Sequence, residues 1–178
     1  MRRVVAIALA ALTLGACTAS AASRARAALD AGLRAHVAGR YDEAKADYQQ
    51  VLRFDPRNKF AYYNLGDIAQ TEKDPVTAEN DYRVALSIDP QYTPALYNLA
   101  IIRAEAGDSA EAISLYRKVI GFEPSNAKAH YNLGLLLRQT GHAPEGNAEI
   151  VRALTLDPSL GPHPSGSPTP SPASSPTK

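Results

Sequence analysis

Three dipeptides carry the clearest chemistry in this chain. Tyr63-Asn64, Tyr97-Asn98 and Tyr131-Asn132 each set a phenol beside a carboxamide, and each pair lies 34 residues from the next. A carboxamide offers both donors and an acceptor, so a row of them suits the backbone of an extended peptide. Tyrosine adds a large amphipathic contact area. Other reactive side chains are sparse. Cys17 is the only cysteine, so no intramolecular disulfide can claim its thiol. His36, His130, His142 and His163 show neither zinc-protease spacing nor an acidic partner in a recognised motif. No G-x-S-x-G or Walker A sequence occurs. These residues point to binding, with no catalytic centre, metal or cofactor expected.

The spacing belongs to the whole middle of the chain. Pro56, Pro90, Pro124 and Pro158 recur at the same interval of 34, each after an acidic residue. Setting each proline near the end of a unit gives repeats at 25–58, 59–92, 93–126 and 127–160. Position 8 is then Gly32, Gly66, Ala100 and Gly134, position 20 is Ala44, Ala78 and Ala112, and position 24 is Tyr48, Tyr82 and Tyr116. This register resembles the tetratricopeptide repeat. The resemblance implies an all-α fold, a right-handed superhelical stack of four helix-turn-helix units.

Elementary geometry accounts for the repeated letters. Tyr62, Leu65, Gly66 and Ala69 follow the i, i+3, i+4, i+7 rule and form one stripe of a first helix. The glycine of that stripe lets the second helix approach closely. Gly39, Gly107 and Gly141 fall between the helices, where a positive φ is expected. Asp55, Asp89, Glu123 and Asp157 precede the prolines and belong to the closing turn. Departures fall at the ends: Ala28 and Ala31 are small, while Pro144, Gly146 and Asn147 open the last helix and Ile150 replaces its tyrosine.

Positions 2, 5, 6 and 9 make a second stripe, about 200° around the helix from the packing stripe, so they are expected to line the concave groove. The candidate groove residues are Phe60, Tyr63, Asn64, Asp67, Tyr97, Asn98, Ile101, Lys128, Tyr131, Asn132 and Leu135. The same letters also spell a stable scaffold, so packing is the competing explanation. A two-carboxylate clamp of the kind some family members use is not spelled here, because Phe60 and Asp30 stand where it needs a lysine and an asparagine. With Phe60, Ile101 and Leu135 in the stripe, an apolar or helical segment is the expected ligand.

The ends have their own logic. Residues 1–16 read as an export signal, with Arg2 and Arg3 ahead of an apolar run from Val4 to Leu14 that is too short to span a bilayer. Leu14-Gly15-Ala16-Cys17 resembles a bacterial lipobox, which implies diacylglyceryl transfer to Cys17, cleavage before it and a tether over 17–24. Ala19-Ser20-Ala21 offers an alternative cleavage site of an ordinary secretory signal. Residues 161–178 are nearly all Pro, Ser, Thr and Gly and read as a disordered tail, with a wall spacer, a glycosylated stalk or a proline-rich ligand as sharper alternatives. Loss of the leader would leave 17 basic against 18 acidic side chains, which gives no footprint for nucleic acid. The sequence therefore reads as a membrane-tethered adaptor of the bacterial cell envelope, lipid-anchored and facing the periplasm or exterior, that binds a protein or peptide partner; a secreted module without lipid and an accessory subunit of an envelope enzyme are the alternatives.

Overall fold

A computed structural model describes residues 21–161. Cys17, the leader 1–16 and the tail after Gly161 lie outside the described residues. A helix, α1, runs through residues 21–37. It is followed by α2 (Tyr41–Phe54), α3 (Lys59–Thr71), α4 (Pro75–Ile88), α5 (Thr93–Glu105), α6 (Ser109–Phe122), α7 (Ala127–Gln139) and α8 (Ala143–Leu156). A short 3-10 turn, Pro158–Leu160, follows α8, and no strand occurs among the described residues. The first helices of the later repeats begin at Lys59, Thr93 and Ala127, where the proline period places them. One boundary shifts: residues 21–24, read from the sequence as part of the tether, are already helical. Ala21, Ala22 and Arg24 are good helix formers, and burial of Ala25 and Ala28 holds this first stretch in place.

Local signals start and stop the helices. Asn58, Asp74, Asp108 and Asn126 each accept a hydrogen bond from the backbone N–H three residues on, at 3.1, 3.1, 3.2 and 3.0 Å. The turns inside the repeats pass through left-handed backbone at Gly39, Gly107 and Gly141, with φ of 71, 83 and 87°. In the second repeat the same position is Lys73, at φ 63°. The acidic residues of the closing turns bond locally, as when Asp89 accepts from the Gln91 N–H at 3.0 Å and pairs with Lys59.

The chain divides into two compact units, Met1–Pro124 and Ser125–Lys178. In the first, Tyr48 and Tyr82 are fully buried, as are Leu99, Val51, Ile68 and Val119. An ion network ties α4, α5 and α6: Arg103 reaches Glu79 at 3.2 Å and Asp108 at 2.6 Å, while Arg83 reaches Glu79 at 2.9 Å and Glu111 at 2.8 Å. The second unit packs α7 against α8, with Leu133, Leu137 and Ala153 buried. Gly134 and Gly146 face one another there, so that a Cβ built on Gly134 would stand 2.7 Å from the Gly146 carbonyl oxygen.

Candidate functional site

In the first unit, α3 carries Phe60, Tyr63, Asn64 and Asp67, and α5 carries Tyr97, Asn98 and Ile101. Phe60 stands 45% exposed. Its ring meets Tyr92 edge to face at 5.7 Å, and Tyr63 meets the same ring at 5.4 Å. Lys59 Nζ lies 5.1 Å from the Phe60 centroid and 5.0 Å from that of Tyr92, which holds the aromatic group from one side. Burial pushes the Tyr92 phenol up to about 12 and raises that of Tyr63, with the Asn98 amide opposing the latter shift.

Two asparagines of the ladder already make hydrogen bonds within the protein. Asn64 Nδ2 donates to the Phe60 carbonyl oxygen at 2.7 Å, one turn back in its own helix. Asn98 Nδ2 donates to the Tyr82 Oη at 3.1 Å, and that hydroxyl donates in turn to Gln70 Oε1 at 2.9 Å. Tyr97 packs edge to face on Tyr116 at 5.9 Å. Asn98 and Tyr97 are engaged because the tyrosines of second helices lie within reach, and Asn64 because its own helix offers a carbonyl one turn back. Helix angle alone gives a direction for a side chain, not what waits there.

Asp67 has a partner that the sequence reading did not supply. His36 Nε2 on α1 lies 3.3 Å from Asp67 Oδ2, and its Nδ1 lies 3.4 Å from the Tyr48 hydroxyl. Arg26 and Leu29 of α1 line one cavity together with Phe60. The stripe Arg26, Leu29, Leu33, His36 therefore runs beside the α3 stripe, with Leu33 41% exposed. Carrying positions 5, 9 and 12 back into the first repeat would have found Leu29, Leu33 and His36. Tyr92 ends a repeat and had no such signal.

In the second unit, Lys128, Tyr131, Asn132 and Leu135 lie on α7. Leu135 is 43% exposed, and Tyr131 and Asn132 are half-buried. The Ser159 hydroxyl and amide hold the Asp157 carboxyl below its usual range, with the charge of Lys128 adding to that effect. His130 is buried, as packing suggested, and its Nδ1 lies 2.5 Å from Glu149 Oε2 on α8. No cluster of three or more His, Cys, Asp or Glu side chains suited to a metal occurs among the described residues.

Helix pairs joined at a small residue and closed by Pro-containing turns define a helical repeat module, and sequence comparison gives its family. The TPR repeat matches at residues 34–71 and 102–141, and the tetratricopeptide repeat at 61–92. Together these span more than half of the chain, which is therefore a tetratricopeptide-repeat protein. Solved structures share the fold. MamA is 22% identical over 76% of this chain and 80% of its own, with a TM-score of 0.69. YrrB, a TPR protein with an unusual peptide-binding site, is 25% identical over 75% of this chain and 69% of its own, at 0.65. PilF of Pseudomonas aeruginosa is 24% identical over 78% of this chain and 64% of its own, at 0.69. No curated protein sequence matches the chain significantly.

Proposed function

We propose that this protein is a membrane-tethered adaptor of the bacterial cell envelope that holds a peptide or helical segment of a partner protein. The observation that carries the reading is the surface of α1 and α3, where Leu33 and Phe60 stand 41% and 45% exposed beside polar groups already bonded to one another. Exposed apolar anchors over a satisfied polar floor favour a ligand that brings apolar side chains. The peptide-binding site of the structural neighbour YrrB supports the same use of the fold. A residue carrying a photoreactive group in place of Phe60 should give one defined adduct in living cells. The same group at Ser114, on α6, should give none. Equal labelling from both positions would remove the basis for a docking face here.

The tether rests on Leu14-Gly15-Ala16-Cys17 in a chain with no other cysteine. Two acyl chains on Cys17 would give stable attachment, since each buried methylene contributes about 0.8 kcal/mol and a single chain binds only reversibly. Intact mass of the membrane fraction should show loss of residues 1–16 and addition of acyl chains. A mature chain starting at Ala22 without lipid would instead make this a freely secreted module.

A further inference from the structure

A cavity of about 480 Å³ opens beside the first turns of α1. Ala25, Leu29, Phe54 and Phe60 give it an apolar lining, and Arg26 forms part of its wall. The Arg24 guanidinium stands 5.8 Å from the centroid of the ring of Phe54, one of the lining residues. Neither arginine has an ion-pair partner among the described residues. The one carboxylate in the lining, Asp55, accepts from the Arg57 N–H at 3.2 Å and from Asn58 Nδ2 at 2.9 Å. An apolar hollow therefore has one cation without an ion pair in its wall, a second on the ring of a lining residue, and one acid whose two oxygens each already accept a hydrogen bond.

We propose that this cavity receives an acidic amphipathic segment of a partner protein, with a large apolar side chain between Leu29, Phe54 and Phe60 and a carboxylate one helical turn away on Arg26. The inference rests on the reading of the α1 and α3 surface as a docking face, and it adds the chemistry that selects the ligand. Guanidinium is suited to this task because its planar fork can meet a carboxylate with two parallel hydrogen bonds. Charge complementarity separates the proposal from a purely apolar dock, which would accept acidic and basic segments alike. It also differs from a two-carboxylate clamp, since Asp30, one turn beyond Arg26, would repel a second carboxylate.

The test is selection of peptides from a random display library on the full chain, run in parallel on Arg26→Glu and on a Tyr63→Ala, Tyr97→Ala variant, with helicity and melting checked for each. The wild type should enrich peptides that combine a leucine or aromatic residue with Glu or Asp within one turn. Arg26→Glu should bind those peptides at least tenfold more weakly and enrich Lys or Arg in their place. Identical enrichment on wild type and Arg26→Glu overturns the proposal. If the selected peptides ignore Arg26 but vanish on the double tyrosine variant, the docking face stands and this cavity is not its selective element. Arg26-dependent sedimentation with phosphatidylglycerol vesicles, with no acidic peptide selected, overturns it by assigning the cavity to a lipid surface.

Discussion

The two units close the same joint in different ways. In the first, a tyrosine ring lies over a glycine: a Cβ on Gly32 would meet Tyr48 Cε1 at 2.6 Å, and one on Gly66 would meet Tyr82 Cε1 at 2.8 Å. In the second, Ile150 takes the place of the tyrosine, and Gly134 and Gly146 bring two backbones together, with a Cβ on Gly146 standing 2.6 Å from the Gly134 carbonyl oxygen. The difference reaches the surface. A tyrosine joint carries a phenol, and that phenol bonds side chains of the first helices, as Tyr82 does with Gln70 and the face residue Asn98 and Tyr48 does with His36. The glycine joint has no phenol to offer, and α7 and α8 are linked instead by the pair of buried His130 with half-buried Glu149. Core and face are thus coupled through a phenol in the first unit, whereas the second carries Ile150 at that position.

The largest expected effect tests the tyrosine joint itself. Tyr82→Ala removes a fully buried ring and should cost about 4 kcal/mol in urea unfolding. Ile150→Ala, at the same position of the half-buried second joint, should cost less than half of that. Equal costs would show that the two joints are energetically alike.

The glycines give the next effect. Gly146→Ala drives a methyl group into a helix carbonyl and should destabilise by about 2 kcal/mol, even though alanine gains about 1 kcal/mol in helix propensity. Gly66→Ala meets the Tyr82 ring at 2.8 Å and a backbone oxygen, that of Ala78, only at 3.2 Å, and should cost somewhat less. A reversal of that order in thermal melting would mean that the aromatic joint is the more rigid one.

Coupling between core and face is tested by Tyr82→Phe, which should cost about 1.5 kcal/mol because Gln70 and Asn98 lose their common partner. A cycle with Asn98→Ala should show coupling of at least about 0.5 kcal/mol. Additive costs would detach the asparagine from the tyrosine.

Much of this fold is legible in the sequence because a period is redundant. Lys59, Thr93 and Ala127 open helices where the prolines place them, and three of the four inner turns carry the glycine that left-handed backbone favours. Lys73 escaped notice because a lysine carries no such mark. The face was less legible for a physical reason. Helix periodicity locates Asn64 and Asn98 on one stripe, but their partners, the Phe60 carbonyl and the Tyr82 hydroxyl, depend on rotamer and on the neighbouring helix. The sequence marks Gly146 only as a departure from the repeat pattern, and the position of Gly134 opposite it shows a joint.

The smallest effect has the opposite sign. Desolvation pushes the Asp81 carboxyl, on α4, from 3.8 up to about 6. A carboxyl that holds its proton more tightly when folded favours the fold at low pH, and that contribution is lost as pH rises from 3.8 through about 6. Asp81→Asn should therefore stabilise the protein at pH 7 by roughly 1 kcal/mol, a figure discounted for the half-exposed site. The gain should vanish near pH 4. A gain that persists in acid would trace to something other than the charge.

The most direct measurement of the central claim compares folding with binding in one variant, Leu33→Ala with Phe60→Ala. Both side chains are more than 40% exposed, so their truncation should move the urea midpoint little. Affinity for the partner recovered by cross-linking from the Phe60 position should fall at least tenfold, or about 1.4 kcal/mol. Unchanged affinity in a folded variant would contradict the account and place the working surface elsewhere on the molecule.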